Sequence, residues 1–113
     1  MPESFLDIDT RFRLLHTLEK DPEITQRALA DELGISLGKT HYCLRALVDK
    51  GWLKIHNFRH SKAKHRYLYQ LTPSGIAEKT RITHRFLKRK VAEHQALTDE
   101  IERLRQELKE SAP

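Results

Sequence analysis

"ITQRALADELGISLGKTHYCLRALVDK", residues 24–50, is the stretch on which the fold turns. Thr25 is a good N-cap, and Ile24 before it can pack on Leu29 as a hydrophobic staple. Ala28, Leu29 and Leu33 are expected to face inward, and Gly34 supplies the left-handed residue that closes such a helix. Ser36 then caps a second helix that continues to Lys50, just before Gly51. Its inward stripe is Thr40, Leu44, Leu47 and Val48, with Cys43 at the edge. The opposite face carries Gly38, Lys39, His41, Tyr42 and Arg45. Two short capped helices joined by a glycine-containing turn of about three residues are the sequence form of a helix-turn-helix.

On the N-terminal side, "DTRFRLLHTLEK" (residues 9–20) repeats Phe12, Leu15 and Leu18 at helical spacing, with Leu14 beside them. Asp21-Pro22 stops it, because the residue before a proline avoids the helical region. On the C-terminal side, "WLKIHNF" (52–58) and "HRYLYQL" (65–71) alternate with period two around a polar tip, which predicts a β-hairpin. Tyr67 and Tyr69 are expected to pack inward from its second strand, and Trp52 to anchor it to the core. Thr72-Pro73 opens a last helix, and no proline or glycine interrupts it from Ile76 to Ser111, a length of roughly 50 Å. Within it Leu97, Ile101, Leu104 and Leu108, spaced four, three and four, form an a/d seam that meets His94 and Lys90 when extended backwards. Ile76, Ile82, Phe86 and Leu87 form a second, bulkier stripe upstream. The expected fold is mainly α with a small β-hairpin: a winged helix-turn-helix domain over residues 1–75 and a long, coiled-coil-like C-terminal helix over 76–113.

Charge is distributed in blocks. The net charge is +5 over 113 residues, but residues 50–92 hold twelve bases and one acid, Glu78, between two flanks each of net charge −3. A block this one-sided repels itself unless a polyanion answers it, nucleic acid first and an anionic membrane second; the plainer alternative is a solvated basic face. No apolar run reaches the roughly 20 residues of a membrane span, and "MPESFLDIDT" does not have the form of a signal peptide. The single cysteine excludes an internal disulfide framework and fits a reducing, cytoplasmic setting. The seven histidines have no metal-ligand spacing, and no nucleophile–base pair or phosphate loop is present. Neither an enzymatic activity nor a cofactor is therefore expected.

The order helix, helix-turn-helix, hairpin, long helix is the winged-helix arrangement. A second helix of this kind enters the major groove, and a hairpin beside it lies along phosphates or reaches the minor groove. The candidate recognition residues are Ser36, Gly38, Lys39, His41, Tyr42 and Arg45. Arg59, His60, Lys62, Lys64, His65 and Arg66 make an acid-free wing tip suited to a polyanion. Thr25 and Gln26 could offer a phosphate the N-terminus of the preceding helix. Arg81, Arg85, Lys88, Arg89 and Lys90 either extend such a footprint or form a solvated helix face.

The run "ITQRALADELGISLGKTHYCLRALVDKGWLKI", followed by "LYQLTPSGI", resembles the MarR family of bacterial winged-helix regulators over about residues 10–80, most tellingly in "LVDKGWL" and "LTPSG". The continuation "GIAEKTRITHRFLKRKVAEHQALTDEIERLRQEL" resembles a narrower group, the MarR-type regulators associated with exopolysaccharide (EPS) gene clusters. The resemblance implies a homodimer that binds pseudo-palindromic double-stranded DNA, with bases read by the helix Ser36–Lys50 and the backbone gripped by the hairpin around Arg59–Arg66. Dimerisation is expected through Phe86, Leu97, Ile101, Leu104 and Leu108. This wing lacks the acid that MarR wings pair with arginines near the tip. The short N-terminal part also puts in question a small-molecule effector pocket at a dimer interface. Two other uses of the same features stay open: a non-specific architectural or RNA-binding protein, and a protein-interaction module.

Overall fold

The computed structural model describes residues 7–61 and 64–112, and the side chains of all of these except 58–66. Every helix in it starts at a side-chain cap. Helix α1 (Ile8–Lys20) begins where the Asp7 carboxylate accepts from the Thr10 amide at 2.8 Å. Helix α2 (Gln26–Leu33) begins where Thr25 Oγ1 accepts from the Ala28 amide at 3.0 Å. Helix α3 (Leu37–Asp49) begins where Ser36 Oγ accepts from the Lys39 amide at 3.0 Å. Such caps satisfy amides that have no partner inside the helix. Gly34 closes α2 at φ 68°, in the left-handed region that costs glycine little. Arg13 on α1 donates to the Glu32 carbonyl at 2.8 Å, placing its cation at the negative end of α2.

Two antiparallel strands, β1 (Leu53–Ser61) and β2 (Lys64–Leu71), form the hairpin, with Leu53 opposite Leu71 and Ile55 opposite Tyr69. The Tyr69 amide donates to the Pro22 carbonyl at 2.8 Å, which pins β2 to the turn between α1 and α2. The last helix, α4 (Pro73–Ser111), is 39 residues long, and the molecule measures 74 × 29 × 27 Å. One core joins all these elements at one end. It comprises Leu14, Leu15, Leu18, Leu29, Leu33, Cys43, Leu44, Leu47, Leu53, Tyr69, Leu71 and Ile82. Thr40 is buried among them with its hydroxyl donating to the Ser36 carbonyl at 2.9 Å, so its polarity is satisfied locally.

Four details differ from the sequence expectation. Ala28 is exposed and Ala30 is buried in its place; the two flank Leu29 on the helical wheel, and the core lies on the Ala30 side. Tyr67 shares the pleat face of Tyr69 but is 44% exposed, because the hairpin outruns the core; the two rings lie 6.4 Å apart. On α4 only part of the upstream stripe turns inward. Gly75, Glu78 and Ile82 are buried, whereas Ile76 and Leu87 point to solvent. Phe86, one turn beyond Ile82, stacks on Phe12 of α1 with ring centroids 4.5 Å apart.

The return from hairpin to α4 is the tightest junction in the molecule. The Thr72 amide donates to the Trp52 carbonyl at 3.0 Å, and the Thr72 hydroxyl donates to the Gly51 carbonyl at 2.6 Å. The same Thr72 oxygen accepts from the Gly75 amide at 2.9 Å. A Cβ on Gly75 would lie 2.0 Å from the Trp52 carbonyl oxygen, a backbone atom that cannot turn aside. Gly75→Ala should therefore destabilise the fold by at least the roughly 1–3 kcal/mol typical of overpacking. Urea denaturation of the two proteins would show it, and an unchanged midpoint would contradict this junction.

Candidate nucleic-acid interface

Helix α3 divides cleanly between core and solvent. Thr40, Cys43, Leu44 and Leu47 are buried, and Ser36, Gly38, Lys39, His41, Tyr42 and Arg45 are all exposed. The anchored face fixes the helix against α2 and the hairpin base; Gly38, Lys39, His41, Tyr42 and Arg45 share the other, and Ser36 is exposed as the cap at the helix start. Leu37, 44% exposed, also belongs to this surface and was missed in the sequence. Its spacing to Thr40 and Leu44 places it on the inward line, but residues 36–39 are all exposed, so the first turn of α3 projects past the core. Burial pushes the Cys43 thiol above its ordinary pKa, which suits an apolar filler and not a reactive thiolate.

The hairpin beside it is long for its anchorage. Its pairing runs from Leu53–Leu71 to Ser61–Lys64, roughly 27 Å of strand. Leu53, Leu71 and Tyr69 are buried and Ile55 packs against the same core; by Asn57 and Tyr67 both strands are exposed. His56 Nε2 and Gln70 Oε1 bridge the strands at 2.9 Å. The register is irregular between Arg59 and Ser61, as a β-bulge makes it. The wing-tip candidates fall on this far end: Arg59 pairs with His65 across the strands, and Arg66 lies opposite Phe58. The side chains of Arg59, His60, Lys64, His65 and Arg66 lie outside the described residues, as does Lys62 altogether. Thr25 is exposed and Gln26 half-buried at the start of α2.

The basic stretch of α4 proves to be answered largely within the chain. Lys79 pairs with Glu19, Arg81 with Glu78 at 2.7 Å, Arg89 with Asp9 at 2.8 Å and Lys90 with Glu93 at 3.2 Å. Arg85 and Lys88 stay exposed on its outer face. Glu78, the one acid of residues 50–92, is 8% exposed. It accepts from Arg81 Nε at 2.9 Å and Nη2 at 2.7 Å, and from Arg11 Nη1 at 2.9 Å. The Arg11 guanidinium in turn lies 5.2 Å from the centre of the Trp52 ring. Among the described residues no group of three His, Cys, Asp or Glu side chains could hold a metal ion, and no helix is long and apolar enough to cross a membrane.

The hydrogen bonds from Arg81, followed by those from Arg11, hold the Glu78 carboxyl below the usual glutamate range despite its burial. A depressed folded pKa contributes stability above the unfolded value and loses it as pH falls through the folded one. Glu78→Gln should thus lower stability at pH 7 by about 1–3 kcal/mol. It should also reduce the loss of stability that the native chain shows below about pH 4. Thermal denaturation across pH 2–7 checks both, and parallel curves for the two proteins would contradict the assignment.

A family model described as winged helix-turn-helix DNA-binding matches residues 9–54, which span α1 to the start of β1. No curated protein matches the chain. Several solved structures share its fold. The adhesin competence repressor of Streptococcus pyogenes aligns over 89% of this chain and 76% of its own, at a TM-score of 0.65 and 20% identity. Streptococcus pneumoniae FabT, solved in complex with DNA, aligns over 90% of this chain and 76% of its own, at 0.57 and 21% identity. A transcription regulator of the MarR family aligns over 90% and 74%, at 0.57 and 18% identity. The likeness covers the hairpin and α4 as well as the helix-turn-helix, so the winged helix-turn-helix with a long C-terminal helix is the fold of this chain.

Proposed function

We propose that this winged helix-turn-helix chain is a sequence-specific, DNA-binding transcriptional regulator that acts as a homodimer. The observation that carries the proposal is the two-sided character of α3. Its buried face makes the helix a rigid part of the core, while Lys39, His41, Tyr42 and Arg45 project together from the other. Lodged in a major groove, Arg45 can pair with both acceptors of a guanine edge, and Leu37 can meet a thymine methyl. The hairpin extends beyond the core beside this helix, and its acid-free tip suits a phosphate backbone or minor groove. Thr25 Oγ1 already caps Ala28, so a phosphate at the start of α2 would be held by the amides of Gln26 and Arg27. A solved fold-neighbour bound to DNA supports the same class of partner.

In this proposal residues 1–75 bind DNA and residues 76–113 dimerise, although the first turns of α4 also complete the core. Phe86 is engaged by Phe12, so Leu97, Ile101, Leu104 and Leu108 carry the contact. Two copies of α3 set about 34–36 Å apart would read a pseudo-palindrome. The resemblance of residues 75–108 to regulators of exopolysaccharide clusters points to such genes as the target.

Two variants separate reading from gripping. Arg45→Ala should cost about 1–3 kcal/mol on the cognate site and narrow the gap between cognate and scrambled DNA. Lys64→Ala should weaken both DNAs alike and lower the salt slope by about one. Fluorescence anisotropy at two salt concentrations gives both numbers. If Arg45→Ala leaves the cognate-to-scrambled ratio unchanged, α3 does not read bases. For the dimer, Ile101→Asp together with Leu104→Asp should halve the mass in sedimentation at tens of micromolar and weaken operator binding. A native chain that sediments as a monomer there would sink the homodimer.

A further inference from the structure

The C-terminal part of α4 leaves apolar side chains in water. Leu97, Ile101, Leu104 and Leu108 are 55%, 41%, 53% and 73% exposed, and Leu87 is exposed upstream. Written as heptads, Leu87, His94, Ile101 and Leu108 occupy position a, and Lys90, Leu97 and Leu104 occupy position d. The flanks follow from that register. Glu93, Glu100 and Glu107 fall at g, and Val91, Thr98 and Arg105 fall at e. We propose that this stripe binds a second copy of the chain as a parallel two-stranded coiled coil over residues 97–108, with Glu100 of each copy paired to Arg105 of the other. It rests on the homodimer proposed above and adds the direction and the flanking contacts of the pairing.

The flanking charges discriminate between the two directions. In a parallel pair, each g position meets the following e position of the partner helix, which sets Glu100 against Arg105 twice by symmetry. In an antiparallel pair, g faces g and e faces e. The three glutamates would then oppose one another, and Arg105 would meet Val91, Thr98 or Arg105 itself. The seam residues bear on strand number instead, because in a parallel coiled coil a β-branched residue at a with leucine at d favours two strands, and here Ile101 lies between Leu97 and Leu104.

The strongly basic part of α4 does not oppose this direction. Arg81, Arg85, Lys88 and Arg89 fall at b, f, b and c, off the seam. Lys90 sits at d, but its ammonium turns to Glu93 at 3.2 Å and to the Phe86 ring at 5.1 Å, both at g. The core-facing line of Gly75, Glu78, Ile82 and Phe86 falls at c, f, c and g, so the winged domain rests on a face other than the a/d seam. Geometry points the same way. Antiparallel pairing centred near residue 102 would hold the two domains about 60 Å apart at Ile82, against one DNA turn of about 34–36 Å. Parallel pairing puts both domains at one end of the rod.

Single cysteines test the direction in the full chain. Leu97→Cys and Leu108→Cys are made separately, with the native chain and its buried Cys43 as control. Parallel pairing brings each new thiol against its own copy, so mild oxidation should yield a disulfide-linked dimer for both variants. Any antiparallel register can bring at most one of them together, since when the copies of one residue meet, the copies of the other lie about 30 Å apart. A dimeric mass with a disulfide at neither or only one position overturns the parallel direction and leaves the homodimer standing. A monomeric mass for the native chain overturns both. The flanking pair is tested by Arg105→Glu, which should raise the dimer dissociation constant several-fold, and by adding Glu100→Arg, which should restore it. A double variant that dimerises no better than Arg105→Glu alone would overturn the Glu100–Arg105 contact.

Discussion

The chain must return from the hairpin to the exit of α3, and the close approach at Trp52 is how it does so. The Trp52 carbonyl takes the Thr72 amide and leaves no room for a side chain on Gly75. Thr72 closes the same junction onto Gly51 and caps α4. Three parts of the molecule are thereby fixed relative to one another: the end of α3, the base of the hairpin and the start of α4. Arg11 brings in the fourth, since it lies over the Trp52 ring and donates to Glu78. In the proposed DNA-binding surface the angle between α3 and the hairpin must be set, and this junction sets it.

Charge in this chain is sorted by the fold into two kinds. On α4 the bases meet acids of α1 and of α4 itself, in Lys79–Glu19, Arg89–Asp9 and the Glu78 cluster. These pairs orient α4 on α1, and the exposed ones add little to stability individually. On α3 and at the hairpin base, Lys39, Arg45 and Lys54 are exposed. Much of the positive block seen in the sequence, the part on α4, is thus answered by acids within the chain. In the proposed function the polyanion belongs at the winged end of this 74 Å molecule, and the distal half of α4 is left for pairing.

The helix-turn-helix was legible because its signals are local. Caps at Thr25 and Ser36, the left-handed Gly34 and the stripe from Thr40 to Leu47 each act within a few residues. The hairpin was legible from period-two alternation, and α4 from the absence of breakers. The errors fall where the core ends, which no periodicity announces. Tyr67 and Leu37 lie on lines that point inward but beyond the region where there is anything to pack against. Phe86 on Phe12 and Arg11 on Glu78 are contacts more than sixty residues apart in sequence, and only the assembled fold brings them together. Glu78 did carry a faint signal, as the one acid in a long basic run.

The central claim is that α3 reads bases instead of merely adding positive charge to the surface. The direct test is the affinity of the native chain for the DNA upstream of its own gene against a scrambled duplex, at two salt concentrations. A sequence-reading regulator should prefer the first by about a thousandfold or more at physiological salt. Equal affinity for the two, falling steeply together as salt rises, would contradict the claim and leave the protein an electrostatic DNA binder.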